Sequence, residues 1–169
     1  YLLCGTGPEL GPVVSRAVLA MRLKSLSRGY SGVSLELIER MRLFMERDWI
    51  PVIPREGSLG ASGDLIPLAY LAQVLSGEGQ IYVEGEVREV APLLKVEGVA
   101  PYRFKPKEGL ALVNGTTAMC ALSLVNLNHA RYLTELACVS TAWLTLALRG
   151  RTEAFGKLVN ERAKNHKGQ

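Results

Sequence analysis

The stretch GSLGASGDLIPLAYLAQVL, residues 57–75, joins a glycine- and serine-rich loop to an apolar helix. Its first nine residues contain three glycines and two serines, a composition typical of a turn. The residues after them are apolar and uncharged, and they predict a helix that runs to about Ser76. The tripeptide Ala61-Ser62-Gly63 therefore lies at the junction, with Asp64 directly behind it.

A tight turn at this tripeptide permits a reaction of the backbone itself. Glycine accepts backbone angles that are closed to other residues, so the amide nitrogen of Gly63 can approach the carbonyl carbon of Ala61. Ring closure with loss of water, and dehydration of the Ser62 side chain, would leave an exocyclic methylidene carbon. The standard side chains supply no such electrophile. The positive end of the following helix would withdraw electrons from the ring, and Asp64 is placed to assist the proton transfers.

The same residues also allow a purely structural interpretation. Ser58 or Ser62 could cap the following helix, while Gly60 and Gly63 shape the turn. The residues by themselves leave both interpretations open.

Composition narrows the classes of function. The 169 residues suit one domain, and the net charge of +4 is spread among acidic residues without a basic run or interleaved aromatic residues, which disfavours nucleic-acid binding. Three separated cysteines, Cys4, Cys120 and Cys138, indicate a reducing, cytoplasmic setting. Two histidines without a Cys/His cluster disfavour a metal site.

The start of the chain and its most apolar run bear on secretion, completeness and membrane insertion. No signal peptide is visible at Tyr1, and the absence of an initiator methionine indicates an excised piece of a longer chain. The most apolar run, residues 136–148, is shorter than a membrane span needs and predicts a buried helix.

Hydrophobic periodicity predicts a mainly α fold, a helical bundle with one small β-hairpin. On the first helix, Val14, Ala17, Val18 and Met21 are expected to form the apolar face. The first predicted helix could begin at Pro8 or at Pro12 and runs toward Gly29. The other predicted elements are a helix capped by Ser34, a proline-rich loop at 48–58, a helix at 64–76, a hairpin at 79–90, an irregular segment at 91–107, a short helix at 107–113 and a long helix at 117–148.

Several segments together resemble one enzyme family, the histidine and aromatic amino acid ammonia-lyases and aminomutases. In that family Ala-Ser-Gly becomes the 4-methylideneimidazole-5-one (MIO) group. The resemblance extends over essentially the whole chain. Its motifs are GSLGASGDLIPLAYLAQVLSGEG (57–79), RLKSLSRGYSGVS (22–34), PVIPREGS (51–58), KEGLALVNGTTAM (107–119), LRGRTEAF (148–155) and HKGQ (166–169), where the family often has proline at Lys167.

The resemblance implies a larger, mostly helical fold that assembles as a homotetramer with active sites shared among subunits. Residues 1–169 would form a single MIO-bearing region of it. The family's catalytic tyrosine and carboxylate-binding arginine would lie outside these residues. Ala61, Ser62 and Gly63 would form MIO, and Asp64 would support its formation.

The resemblance also implies substrate-binding residues. Asn114 matches an asparagine near the MIO oxygen and the substrate carboxylate, although it could instead cap the long helix. Leu65 matches a position that lines the pocket beside MIO. Tyr1 and Leu2 lie where the family sets specificity for the substrate's ring, and their Tyr-Leu pair departs from the usual patterns. Leu2 and Thr117 favour an aromatic substrate over histidine.

The function implied is elimination of ammonia from an aromatic L-amino acid, or a 2,3-amino shift on it, by way of an aryl-acrylate. Histidine ammonia-lyase is the alternative enzyme. A third possibility is a non-catalytic helical assembly fragment whose Ala-Ser-Gly never cyclises. The partners implied are the amino acid substrate and the rest of the chain, with no nucleic acid and no membrane.

Overall fold

The computed structural model describes residues 3–60 and 63–163. The chain divides into two compact units, Tyr1–Val125 and Asn126–Gln169. Within the described residues the α-helices are α1 (Pro12–Leu26), α2 (Leu35–Glu46), α3 (Leu65–Leu75), α4 (Val90–Val96), α5 (Glu108–Val113) and α6 (Thr117–Ala147). The strands are β1 (Thr6–Glu9), β2 (Ile50–Pro51), β3 (Pro54–Glu56), β4 (Gln80–Val83) and β5 (Glu86–Glu89). A 3-10 turn (Glu153–Phe155) and a π-helical turn (Leu158–Ala163) follow α6.

Helices dominate the first unit, and its strands form two small antiparallel sheets. One sheet pairs β1 with β3, and the other has the order β2-β4-β5. The predicted hairpin is β4-β5, in which Gln80 pairs with Glu89 and Val83 with Glu86. Its two-residue turn, Glu84-Gly85, has positive φ at both positions, the geometry that matches the twist of a hairpin. The mainly α prediction with one hairpin is confirmed.

Most helices begin and end near the predicted positions because their signals are local. Pro12 is the first residue of α1, a position where the missing amide hydrogen costs nothing. The apolar face of α2 buries Leu37, Met41 and Phe44 at helical spacing. The helices α3, α5 and α6 also lie where the sequence places them.

Three local predictions are wrong. The proline-rich stretch 48–58 contains β2 and β3, because proline is tolerated in short strands whose missing donor is not needed for pairing. The segment 91–107, predicted to be irregular, lies partly within helix α4. Of the expected apolar face of α1, only Val18 is fully buried. The buried residues of this helix are Ser15, Val18, Leu19, Arg22 and Leu26, so its buried face includes a charged arginine.

The prediction that the run 136–148 is buried is also wrong for this chain. Only Thr117, Ala118 and Ala121 of α6 are buried, and the residues of the run are exposed or, at Thr145, partly exposed. The stretch Glu108–Ala147 is long and apolar enough to cross a membrane, with a hydropathy of 1.5 in its most apolar window. A helix that is buried among other helices in the core of a protein can be equally long and apolar. This stretch alone therefore does not indicate a membrane protein.

Candidate active site

Gly63 lies against the turn that joins α5 to α6. Its φ is +111°, a backbone angle that side-chain-bearing residues rarely adopt. A β-carbon at this position would lie 2.6 Å from Asn114 Oδ1 and 2.9 Å from the backbone nitrogen of Gly115. Both the backbone angle and the lack of space therefore require glycine here.

Asp64 anchors the backbone directly after Gly63 to the same turn. Its side chain is 2% exposed, and its backbone N–H donates a hydrogen bond to the Gly115 carbonyl at 2.7 Å. One carboxylate oxygen accepts a hydrogen bond from the Ser58 hydroxyl at 3.0 Å. The other accepts one from the backbone N–H of Met119 at 2.9 Å. Three hydrogen bonds thus hold the residue that directly follows Gly63.

The Asp64 carboxylate caps helix α6 rather than its own helix α3. Met119 is the third residue of α6, where the backbone N–H has no partner within the helix. Asp64 immediately precedes α3 but makes no capping side-chain bond to it. A carboxylate at a helix N-terminus also interacts favourably with the helix dipole. Asp64 therefore ties the start of one helix to the start of another.

Two capping alternatives drawn from the sequence, Ser58 for α3 and Asn114 for α6, are not what the described residues show, and the Ser62 alternative falls outside those residues. The Ser58 hydroxyl donates to Asp64 and accepts a hydrogen bond from the Gly60 N–H at 3.2 Å, so it orders the loop instead of capping α3. Asp64, not Asn114, bonds to the first turn of α6.

The predicted substrate-binding residues are only partly described. Asn114 is an exposed residue at the C-terminal cap of α5, with its Oδ1 beside Gly63. Leu65 is the half-buried first residue of α3. The structure thus brings Gly63, Asp64 and Asn114 together. The predictions for Tyr1, Leu2, Ala61 and Ser62 fall outside the described residues.

Arg22 is a buried side chain at this site that the sequence analysis did not identify. It is 5% exposed, and burial lowers the pKa of its guanidinium. It donates hydrogen bonds to the carbonyls of Leu112 and Asn114, at 2.8 Å each, and to that of Ala111. A longer bond of 3.3 Å reaches the Thr117 hydroxyl. The available signal was its spacing, since Arg22 lies four residues after Val18 and four before Leu26 on α1.

Glu108, at the start of α5, is a third buried charged residue near the site, after Asp64 and Arg22. It is 2% exposed and accepts hydrogen bonds from the backbone N–H groups of Ser34 at 2.9 Å and Lys105 at 2.8 Å, and from the Tyr102 hydroxyl at 2.9 Å. Desolvation raises the pKa of Glu108, but the hydrogen bonds from Ser34, Lys105 and Tyr102 outweigh it and lower the pKa to about 2. Glu108 thereby joins α2 to the helix that carries Asn114.

We expect Glu108→Gln to lower the free energy of unfolding by about 3 kcal/mol at pH 7. The folded-state pKa lies below the ordinary value of 4.5, so the contribution is present above pH 4.5 and is lost as the pH falls toward 2. Urea unfolding at pH 7 and pH 3, at matched protein concentration, measures this. Glu78→Gln, at an exposed position, is the control. An equal loss in both variants, or an unchanged pH dependence in Glu108→Gln, contradicts the prediction.

A cavity of about 670 Å³ opens beside the α5–α6 turn. Arg22, Lys107, Asn114 and Thr116 are among the residues that line it. Among the described residues, no cluster of three or more potential metal ligands occurs. The site therefore consists of a constrained glycine, a buried carboxylate, an exposed amide and a buried guanidinium, all in contact with one turn.

Comparison with known proteins supports the resemblance over the full chain. The family model for aromatic amino acid lyase matches residues 1–169. The tyrosine 2,3-aminomutase of Chondromyces crocatus is 42% identical over 165 residues, which cover 98% of this chain and 31% of that protein. The histidine ammonia-lyase of Gloeobacter violaceus is 45% identical over 151 residues, 89% of this chain and 29% of that protein.

Solved structures agree with the sequence comparisons. The tyrosine aminomutase from Streptomyces globisporus superimposes with a TM-score of 0.92 at 36% identity, over 99% of this chain and 31% of that one. The histidine ammonia-lyase from Trypanosoma cruzi gives a TM-score of 0.91 at 33% identity, over 99% and 33%. The chain thus spans about a third of the length of these relatives, and its fold is part of their helical ammonia-lyase fold. The chain belongs to the aromatic amino acid lyase family.

Proposed function

We propose that the complete protein carrying this chain eliminates ammonia from an aromatic L-amino acid, or shifts its amino group, by way of an aryl-acrylate. Residues 1–169 would be the region that bears its MIO group, formed from Ala61, Ser62 and Gly63. The observation that carries the proposal is the position of Gly63, held at φ +111° against Asn114 and followed by the anchored, buried Asp64.

The residues present fit an MIO group. The group supplies an electrophilic methylidene carbon to which the amino group of a substrate can add. Gly63 provides the backbone nitrogen for ring closure in a place where no side chain fits. Asp64 fixes the loop through its hydrogen bonds to Gly115 and Met119. The N-terminal end of α3 follows directly and contributes a positive potential.

The remaining roles concern the substrate. Asn114 offers an exposed amide beside Gly63, and an amide has both donors and an acceptor, so it can bind a substrate carboxylate. Leu65 adds an apolar wall at the start of α3. Tyr1 and Leu2 would contact the substrate's ring. The catalytic base and a cation for the carboxylate would come from other parts of the protein.

Intact mass spectrometry of the purified protein tests the proposal directly. MIO formation removes two water molecules, so the mass should fall below the encoded mass by that amount. A protein at its full encoded mass would instead support the non-catalytic alternative, a helical assembly fragment with uncyclised Ala-Ser-Gly.

We expect the complete enzyme to prefer an aromatic amino acid over histidine. Tyr1 and Leu2 would form a largely apolar wall with one hydroxyl, and a buried polar group left unpaired costs about 1–3 kcal/mol. That cost corresponds to a preference of roughly 5-fold to 150-fold. Parallel assays with histidine, phenylalanine and tyrosine, following the acrylate product, measure the preference.

Histidine ammonia-lyase is the alternative that a specific observation favours. Several similar proteins are histidine ammonia-lyases, two of them 45% identical to this chain, while other similar proteins are named as tyrosine or phenylalanine aminomutases. Urocanate as the dominant product of the parallel assay would establish this alternative and contradict the aromatic preference.

We expect the isolated 169-residue chain to release no ammonia. Elimination needs a base within about 2.6–3.2 Å of the proton that it removes, and the proposed base lies outside this chain. Sedimentation should also show self-association, because α6 exposes large apolar side chains such as Leu133, Trp143 and Leu146. A monodisperse monomer that turns over phenylalanine would contradict both parts.

The assembly and location proposed for the complete protein follow the same observations. The exposed apolar side chains of α6 suit burial in a homotetramer, because large exposed apolar patches usually mark interfaces. Cys4, Cys120 and Cys138 are all free thiols, which suits a reducing cytoplasm.

A further inference from the structure

Among the described residues, every hydrogen bond that the Arg22 guanidinium donates goes to the junction between α5 and α6. Three of its four hydrogen-bond acceptors are carbonyls of Ala111, Leu112 and Asn114, and the fourth is the Thr117 hydroxyl. The side chain reaches this junction from helix α1, about 90 residues earlier in the sequence. One residue therefore fixes both the end of α5 and the start of α6.

The burial of Arg22 is costly, and its location shows how the cost is offset. An arginine remains protonated in a protein, and a buried charge without partners is strongly destabilising. No carboxylate lies within ion-pair distance of Arg22 in the described part of the chain. The charge is stabilised instead by the carbonyls at the end of α5, which accept no hydrogen bond from within the helix. Removing the guanidinium leaves those carbonyls without a donor.

The junction that Arg22 holds is the surface against which Gly63 and Asp64 lie. A β-carbon on Gly115 would collide with the Arg22 guanidinium, so the two groups are in direct contact. Gly115 also accepts the hydrogen bond from Asp64 at 2.7 Å, and its nitrogen limits the space at Gly63. The guanidinium, Gly115 and the Gly63-Asp64 backbone therefore form one continuous series of contacts.

We propose that Arg22 is a positioning residue for the cyclisation of Ala61-Ser62-Gly63. This inference rests on the proposed function. By fixing Asn114 and Gly115, Arg22 sets the place of the Gly63 nitrogen, which forms the new bond to the Ala61 carbonyl carbon. The Ala61 oxygen leaves as water with the amide hydrogens of Gly63 and Ser62. A second water takes the Ser62 hydroxyl and its α-hydrogen, so no external reactant is needed.

Lysine cannot replace arginine in this role. The guanidinium spreads five N–H donors over a rigid plane, whereas an ammonium group has three donors at one point. The guanidinium can therefore reach all four acceptors at the α5–α6 junction, whereas an ammonium group cannot. We therefore expect Arg22→Lys to slow cyclisation by about tenfold to a hundredfold, the range that a small misplacement of reacting groups produces.

The experiment follows the loss of two waters by intact mass spectrometry at intervals after cell-free synthesis of the complete protein. Helix content is recorded by circular dichroism, and cyclisation is scored only for folded protein. Arg16→Lys is the matched control, since Arg16 lies on the same helix, is exposed, and pairs with Asp48 at the surface. It should cyclise at the wild-type rate.

Arg22→Ala provides a second arm that separates positioning from folding. Arg22 lines the 670 Å³ cavity, so free guanidinium can reach the vacated position. Guanidinium at concentrations far below those that unfold proteins should restore the mass loss in Arg22→Ala. Ammonium at the same ionic strength should not. If neither Arg22 variant folds, Thr117→Val removes one of the four acceptors and should slow cyclisation severalfold.

The outcomes distinguish this inference from the proposed function. Wild-type protein that never loses two waters would overturn both. If the wild type cyclises and a folded Arg22→Lys variant cyclises at the same rate, the positioning role alone is overturned. Failure of guanidinium to restore a folded Arg22→Ala variant, or a wild-type rate in Thr117→Val, would do the same.

Discussion

Ser62→Ala should abolish MIO formation and remove nearly all turnover of the complete enzyme. Alanine has no β-hydroxyl to lose, so the methylidene carbon cannot form even if the ring closes. Loss of a covalent electrophile removes the step that activates the substrate's amino group, and we expect at least about a thousandfold loss in kcat, comparable to the removal of a main catalytic group. Ammonia release and intact mass are the two measurements.

The control for this variant is Ser27→Ala. Ser27 is exposed and bonds only to the nearby Lys24 carbonyl among the described residues, so its loss should leave both mass and turnover at wild-type values. Circular dichroism should show the same helix content in all three proteins. Turnover of Ser62→Ala close to that of the wild type would mean that the electrophile is not made from this tripeptide.

Gly63→Ala should also prevent cyclisation, for a steric reason that the structure supplies. The new β-carbon would lie 2.6 Å from Asn114 Oδ1 and 2.9 Å from the Gly115 nitrogen, so the loop must move away from the α5–α6 turn. The strained backbone adds a further cost of about 1–3 kcal/mol. We expect the protein to retain its full encoded mass and to lose activity by more than about a hundredfold.

Gly60→Ala is a matched control in the same loop. Gly60 also has a positive φ, +65°, but nothing lies within 4 Å of a β-carbon there. Alanine at this position bears only the backbone penalty of about 1–2 kcal/mol. It should still lose two waters and turn over substrate. If both variants cyclise, close packing at Gly63 is not what the reaction requires. If neither does, a flexible loop rather than the contact at Gly63 is essential.

Local sequence patterns were sufficient for most of the helices and for the hairpin. The apolar spacing in α2 and the Glu84-Gly85 turn between β4 and β5 depend on neighbours within a few residues, and such patterns are readable from the chain alone. The strands β2 and β3 were missed because their partners, β4 and β1, lie elsewhere in the sequence. The proline-rich stretch 48–58 is extended because its strands pair with these distant strands, and its composition alone does not indicate this.

The sequence by itself determined the tripeptide and the resemblance to a family, because these depend on covalent chemistry and residue order. Only the tertiary structure decided what holds Gly63 and Asp64 in place. Asp64 bonds to α6, which begins about 50 residues later, and Arg22 reaches the same turn from α1. No local pattern encodes either contact, because a buried charge finds its partners among backbone groups that become neighbours only when the helices pack.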